Sequence, residues 1–94
     1  MKIAVAGIGY VGLSNAVLLS LHNEVIAYDI NKKNVDLINQ RLPTVADSLI
    51  EEYLKTKRLN LSATLDFEDA IKDATFLIIA TPTAYDPATT FVDP

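Results

Sequence analysis

Residues 7–12 read GIGYVG, and this glycine-rich stretch lies between an apolar run at residues 3–6 and a helical pattern at residues 11–21. The apolar run has the length of a strand that is buried on both faces, and the apolar side chains after it recur at helical spacing. A G-x-G-x-x-G turn between a strand and a helix is the context of a dinucleotide-binding loop. The motif therefore predicts a strand, a phosphate-binding turn and a helix, in that order.

The three glycines of this loop have different predicted roles. Gly7 allows the tight turn, Gly9 lets the backbone approach a pyrophosphate, and Gly12 permits close packing of the helix on the strand. The backbone N–H groups of Tyr10 and Val11 then point, with the helix dipole, at the phosphate oxygens. Because the same pattern also occurs as a purely structural turn, the interpretation needs a second signal.

Asp29 supplies that second signal. It ends a second apolar run, residues 25–28, about 20 residues after the loop, which is the offset at which an acid meets the adenosine ribose. A carboxylate there accepts hydrogen bonds from the ribose hydroxyls and repels a 2′-phosphate, so NAD is favoured over NADP. The nearby Lys32 and Lys33 keep NADP open, and the alternative role for Asp29 is that of a helix-start acid.

Polar residues and a proline mark the ends of the helices. A second helix is expected up to Gln40, and Pro43 blocks its continuation. Val35 and Ile38 face inward in that helix. Asn23 is expected to end the first helix in the left-handed conformation. The N-caps expected for the second, third and fourth helices are Asn31, Asp47 and Asp66.

The third helix has an apolar stripe opposite charged residues and is expected to cover the core. The stripe consists of Leu49, Ile50, Tyr53 and Leu54. Further strands are expected at residues 61–65 and 75–80, joined by a short helix that ends near Asp73. The order of elements predicts a Rossmann-like α/β fold, with a parallel sheet of strand order 3-2-1-4 and helices on both faces.

Four strands are only part of a doubly wound domain, which normally has about six. Residues 83–93 show no convincing period. We therefore expect residues 1–94 to be the amino-terminal part of a Rossmann NAD-binding domain, as a fragment of a longer enzyme. The fourth strand would then be an open apolar edge, so this fragment is expected to self-associate.

Charge and composition exclude several classes of function. A net charge of −4 with scattered basic residues argues against a nucleic-acid or anionic membrane surface. The run from Lys2 to Leu21 could be mistaken for a signal peptide, but glycines interrupt it and no ~20-residue apolar span is present. We therefore expect a cytoplasmic protein without a nucleic-acid or membrane partner.

No catalytic or metal site is predicted within these residues. The chain has no cysteine, which excludes disulfides, thiolate zinc sites and a cysteine nucleophile. The single histidine, His22, lies at a helix end, where surface and capping roles are usual. The adjacent acids are helix caps or solvated faces, and they are Glu51 with Glu52 and Asp66 with Asp69.

Three segments together resemble the amino-terminal region of the UDP-glucose 6-dehydrogenases: residues 1–31 (MKIAVAGIGYVGLSNAVLLSLHNEVIAYDIN), 62–66 (SATLD) and 78–83 (IIATPT). GYVGLS is more specific than the generic glycine pattern, and ATPT after the fourth strand is characteristic of nucleotide-sugar dehydrogenases. The resemblance covers nearly the whole chain. It implies an NAD-dependent enzyme that oxidises the C6 alcohol of UDP-glucose to a carboxylate in two steps, working as a homodimer.

The resemblance also implies roles for individual residues. The loop with Val11 binds the pyrophosphate, Asp29 the adenosine ribose, and Thr83 the nicotinamide side of the cofactor. The same crevice is shaped by Ala80, Thr81 and Pro82. The family commonly has a Lys or Arg five positions after the ribose acid, whereas this chain has Asn34, with Lys33 as the alternative cation.

Members of this family use a cysteine to hold the intermediate covalently, together with acids and lysines from later in the chain. None of that machinery is present in these residues, so no catalytic residue is assigned. Two alternatives remain open. One is a sibling enzyme that acts on UDP-N-acetylmannosamine or GDP-mannose, and the other is a non-catalytic nucleotide-sensing module of a potassium transport regulator.

Overall fold

The structure, a computed structural model, describes residues 1–80, which form four strands and four helices. In chain order these are β1 (Lys2–Ala6), α1 (Tyr10–Ser20), β2 (Glu24–Tyr28), α2 (Lys32–Asn39), α3 (Ser48–Thr56), β3 (Leu61–Thr64), α4 (Phe67–Ile71) and β4 (Phe76–Ile79). The predicted order of elements is confirmed.

The four strands form one sheet in the order β3-β2-β1-β4, and every pair of neighbours is parallel. On β1, Ile3 lies beside Val25 of β2 and Phe76 of β4. This is the predicted strand order and the predicted α/β class. Because all four strands run the same way, their carboxyl ends meet at one edge of the sheet.

One face of the sheet forms the main hydrophobic core. Ile3 and Val5 of β1 lie on this face, in register with Val25 and Ala27 of β2. The helix residues that complete the core are Leu13, Ala16, Val17, Ile38, Ile50 and Leu54. Each fully buried aliphatic side chain contributes roughly 1.5–3 kcal/mol, so this layer holds α1 firmly against the strands that precede and follow it.

The opposite face of the sheet is covered by α4. Ala4 alternates with the core residues of β1 and therefore lies on the other face, where Ala70 of α4 is also fully buried. The rings of Tyr28 and Phe67 meet edge to face, with centroids 5.2 Å apart. Helices thus cover both faces of the sheet, as predicted.

The three predicted N-caps are confirmed. The side chain of Asn31 accepts a hydrogen bond from the Lys33 N–H at the start of α2. The Asp47 carboxylate accepts from two N–H groups of α3, and the Asp66 carboxylate does the same for α4. Each helix start is therefore satisfied by an acceptor that lies next to it in the sequence.

The prediction that Asn23 is left-handed is wrong. Among residues 1–80 the non-glycine residues with positive φ are Arg41 and Asp73. The Asn23 side-chain amide and its backbone N–H both donate to the Leu19 carbonyl. This carbonyl at the end of α1 is thus satisfied without a left-handed residue, so no such turn is needed there.

The second helix ends at Asn39, one residue before the expected position, and the chain reverses before it reaches Pro43. Arg41 makes the reversal with φ of 63°. Its guanidinium donates to the carbonyls of Ile38 and Leu59, which ties the end of α2 to the approach to β3. The left-handed turn at Arg41, rather than the proline, therefore ends the helix.

The apolar stripe of α3 is narrower than expected. Ile50 and Leu54 are buried, whereas Leu49 is 61% exposed, so the prediction for Leu49 is wrong. Ile50 and Leu54 are four residues apart and define the buried line of the helix. Leu49 lies to one side of it, at an apolar cleft of about 260 Å³ between α1 and α3. None of the helices within residues 1–80 is long and apolar enough to cross a membrane.

Candidate dinucleotide site

The glycine loop follows β1 at the carboxyl edge of the sheet, and Gly7 makes its tight turn. Its φ is 100°, a conformation that L side chains rarely adopt. A Cβ on Gly7 would also collide with the carbonyl oxygen of Ala80. The Gly7 N–H donates to the Tyr28 carbonyl at 2.7 Å, and the Ala80 N–H donates to the Ala6 carbonyl at 2.8 Å. The ends of β1, β2 and β4 therefore converge on this turn.

The two other glycines differ in their surroundings. A Cβ on Gly12 would collide with the Gly7 carbonyl oxygen, so Gly12 is the position that lets α1 pack against the loop. A Cβ on Gly9, in contrast, would meet nothing within 4 Å among the residues that the structure describes. The side of Gly9 is thus open space, as the approach of a pyrophosphate to the backbone requires.

No side chain of the described part of the chain caps the amino end of α1. Gly9 occupies the N-cap position, and the first turn contains no acidic residue. The other three helices of residues 1–80 each have an Asn or Asp cap. The first N–H groups of a helix need an acceptor, and here Tyr10 and Val11 are both at least half exposed. The arrangement suits an anion with several oxygens.

Asp29 lies at the end of β2, next to the loop. One carboxylate oxygen accepts from the Ile8 N–H at 3.0 Å, and the other accepts from the Asn31 N–H at 2.8 Å. The predicted position beside the loop is therefore observed, together with a role that the sequence did not reveal, since Asp29 ties the loop to β2. A carboxylate has about four acceptor positions, so capacity remains for a ribose hydroxyl.

Asn34, where the family commonly has a Lys or Arg, also lies beside Asp29. The Asn34 side-chain amide lies 3.4 Å from a carboxylate oxygen of Asp29, which is a long hydrogen bond. Lys32 forms an ion pair with Asp36 at 2.8 Å, and the Lys33 side chain is exposed. The structure thus brings Asn34, rather than a lysine, to Asp29.

Thr44 contacts the loop from the segment between α2 and α3. Its hydroxyl donates to the Ile8 carbonyl at 2.6 Å. The Ile8 side chain is buried, with 1% of its surface exposed. Sequence reasoning missed Thr44, because no local pattern connects two residues that are 36 positions apart.

Two predicted cofactor residues, Thr81 and Thr83, lie outside the described residues. His22, to which the sequence assigned no role, lines a polar cavity of about 750 Å³ together with Arg58. That cavity is at the amino ends of the strands, whereas ligands of parallel α/β sheets bind at the carboxyl ends. Within residues 1–80, no three His, Cys, Asp or Glu side chains are placed to hold a metal ion.

Comparison with known proteins agrees with this geometry. Residues 1–91 match the model of the UDP-glucose/GDP-mannose dehydrogenase family, NAD binding domain. The UDP-glucose 6-dehydrogenase of Streptococcus pneumoniae is 55% identical over 86 residues, which is 92% of this chain and 22% of that protein. The UDP-glucose 6-dehydrogenase of Campylobacter jejuni is 42% identical over 99% of this chain and 24% of that protein.

The solved structures that resemble this chain include nucleotide-sugar dehydrogenases. A GDP-mannose dehydrogenase from Pseudomonas aeruginosa, crystallised as a ternary complex, superposes with a TM-score of 0.82 at 34% identity, over 94% of this chain and 21% of that one. A UDP-glucose dehydrogenase from Pyrobaculum islandicum superposes with a TM-score of 0.76 at 28% identity, over 92% and 21%. The chain spans about a fifth to a quarter of the length of these proteins.

Proposed function

The chain belongs to the UDP-glucose/GDP-mannose dehydrogenase family, and we propose that it forms the NAD-binding part of a UDP-glucose 6-dehydrogenase. Two curated relatives that align with nearly the whole chain have that name. The observation that carries the proposal is the uncapped start of α1 at Gly9, where donors face open space beside an acid at the end of β2. Pyrophosphate and ribose are the groups that such a pair binds.

The proposed site holds the cofactor through backbone donors and one carboxylate. The N–H groups of Tyr10 and Val11 bind the pyrophosphate, and Gly9 leaves room for it. Asp29 accepts from the adenosine ribose, with Asn34 beside it. The other residues proposed for the site are Gly7 and Gly12, which shape the loop, and Thr81 and Thr83 at the nicotinamide end. Bound NAD supplies the hydride acceptor for alcohol oxidation.

We propose NAD rather than NADP as the cofactor. Asp29 would repel a 2′-phosphate on the ribose that it binds. Of the two nearby lysines that could compensate, Lys32 is partly neutralised because it pairs with Asp36. Asn34, the side chain that lies beside Asp29, has no charge to offer a phosphate.

The whole protein is proposed to convert UDP-glucose to UDP-glucuronate with two molecules of NAD. Residues 1–94 contain no cysteine, so the nucleophile that holds the covalent intermediate is proposed to lie in another part of the protein. In this proposal residues 1–94 are the amino-terminal part of the Rossmann domain. We also propose that the protein is cytoplasmic and homodimeric, which subcellular fractionation and the mass in solution would test.

A sibling activity is the second candidate. The GDP-mannose dehydrogenase superposes well on residues of this chain, and a UDP-N-acetyl-D-mannosamine dehydrogenase from Methanococcus maripaludis is 32% identical over 87% of it. Both relatives are similar to this chain in the cofactor domain, so these similarities do not identify the nucleotide sugar that is oxidised. UDP-glucose is preferred because of the 55% identity to an enzyme of that name.

A substrate panel tests the proposal. The protein that carries this chain is incubated with NAD and, in turn, UDP-glucose, UDP-N-acetylmannosamine and GDP-mannose, while NADH formation is followed by absorbance. We expect turnover with UDP-glucose and two NADH for each sugar consumed. Turnover with another sugar alone would move the assignment to that sibling, and no turnover with any nucleotide sugar would contradict the enzyme proposal.

A further inference from the structure

Two side chains hold the glycine loop by hydrogen bonds to two successive peptide groups. The Ile8 N–H, part of the Gly7–Ile8 peptide, donates to Asp29. The Ile8 carbonyl, part of the Ile8–Gly9 peptide, accepts from the Thr44 hydroxyl at 2.6 Å. The orientation of each peptide plane is therefore fixed by a side chain from another part of the chain.

The second of these contacts determines where the Gly9 N–H points. In a trans peptide the C=O and the N–H point in opposite directions, and residues 1–80 contain no cis peptide. With its carbonyl directed at Thr44, the Ile8–Gly9 peptide directs the Gly9 N–H away from Thr44. Within residues 1–80 this N–H donates to no acceptor, and nothing lies within 4 Å of where a Gly9 Cβ would be. In the described part of the chain, the Gly9 N–H is thus a donor without an acceptor beside the start of α1.

The segment that carries Thr44 is held by contacts of its neighbours. The segment that carries it begins at Arg41, whose guanidinium binds the carbonyls of Ile38 and Leu59. It ends at Asp47, which caps α3, and Val45 between them packs against the core. Both ends and the middle of residues 41–47 are therefore anchored, which holds the backbone of Thr44 beside the loop.

We infer that Thr44 is a positioning residue for dinucleotide binding, because its hydroxyl orients the Ile8–Gly9 peptide so that the Gly9 N–H donates to the cofactor pyrophosphate. This inference rests on the proposed NAD site. It adds a residue that touches no cofactor atom and acts through the backbone of the loop. A donor oriented in advance binds an anion without a reorganisation cost at the moment of binding.

Two substitutions separate the hydroxyl from the rest of the side chain. Thr44→Val removes the donor and keeps the shape, whereas Thr44→Ser keeps the donor and removes a methyl group. In the whole protein, displacement of NADH is measured with ADP-ribose, which has the pyrophosphate, and with adenosine, which lacks it. Thr44→Val should lower the affinity for ADP-ribose by roughly threefold to tenfold, which is the range for the loss of one hydrogen bond. Adenosine affinity should be unchanged, and Thr44→Ser should restore ADP-ribose binding.

The outcomes distinguish this inference from the proposed site. If the unaltered protein binds neither NADH nor ADP-ribose, the proposed NAD site is wrong, and the role of Thr44 is wrong with it. If it binds both and Thr44→Val binds ADP-ribose equally well, the inference about Thr44 alone is wrong. Equal losses for ADP-ribose and adenosine would show a merely structural role and overturn it too. Thr44→Ala also lacks the hydroxyl and gives the same comparison if Thr44→Val fails to fold.

Discussion

At the scale of single residues, a substitution at Gly9 should affect cofactor binding without affecting folding. The backbone of Gly9 is extended, with φ of −79° and ψ of −163°, so its φ does not require a glycine. Since a Cβ there meets no atom of residues 1–80 within 4 Å, Gly9→Val should leave the protein folded. It should abolish NAD binding, because the branched side chain fills the space for the pyrophosphate. Thermal melting and calorimetric titration with NAD check the two parts.

Gly12 provides the matched comparison. A Cβ there collides with the backbone oxygen of Gly7, which cannot move without disturbing the turn. Gly12→Val should therefore lower the free energy of unfolding by about 1–3 kcal/mol or more, as overpacked interiors do. Equal NAD affinity for Gly9→Val and the unaltered protein would contradict the proposed position of the pyrophosphate.

Asp29 should affect both cofactor choice and stability. Asp29→Ala removes the ribose acceptor and the repulsion of a 2′-phosphate, so kcat/KM for NADP relative to NAD should rise. It also leaves the part-buried Ile8 N–H without its acceptor, which should cost about 1–3 kcal/mol of unfolding free energy. Steady-state kinetics with both cofactors and denaturant unfolding measure the two effects. An unchanged preference for NAD would show that Asp29 acts only on the loop.

The residues of the site were predictable from the sequence only where the pattern is local. The glycines and Asp29 follow from motif and spacing, because a strand followed by a tight turn has few geometries. The bond from Asp29 to Ile8 and the bond from Thr44 to Ile8 join elements that meet only after folding. No periodicity in the sequence encodes such contacts.

At the scale of elements, the Asp47 cap of α3 should contribute to the free energy of unfolding. The Asp47 carboxylate accepts from the N–H groups of Leu49 and Ile50, both at 3.0 Å. Asp47→Ala should lower the free energy of unfolding by about 1 kcal/mol, and Asp47→Ser, which keeps an acceptor, should lose less. Urea unfolding of the three proteins measures this. If alanine and serine have equal effects, the contribution of Asp47 is not capping.

Element types and order were predictable because the apolar periodicity and the polar caps agree. The errors occur at the ends of α1 and α2 and on the exposed side of α3. Asn23 caps a carbonyl of α1 instead of turning left-handed, and α2 ends at the left-handed turn of Arg41, before it reaches the proline that was expected to block its continuation. Leu49 lies beside a cleft with α1 rather than in the core. Arg41 and Leu49 depend on neighbours from distant parts of the sequence, whereas Asn23 bonds to Leu19, four residues before it.

At the scale of the whole molecule, β4 is the exposed part of the sheet. Its Phe76 is 56% exposed and its Ile79 is 67% exposed. Within residues 1–80, β4 pairs on one side only, with β1. A polypeptide of residues 1–94 produced alone should therefore self-associate, as open apolar strands do. Light scattering over a range of concentrations measures this.

Ile79→Lys provides the control for self-association. A charge on the exposed strand should reduce the association without unfolding the chain, because Ile79 contributes little to the core. An unaltered chain that stays monomeric at every concentration and binds NAD tightly would contradict the expectation. It would instead favour a self-sufficient nucleotide module over part of a larger domain.

The most direct test of the central claim is a crystal structure of the whole protein with NAD bound. The pyrophosphate should lie about 3 Å from backbone N–H groups at the start of α1, including that of Gly9, and a ribose hydroxyl should donate to Asp29. NAD bound elsewhere, such as the polar cavity lined by His22 and Arg58 at the amino ends of the strands, would contradict the account.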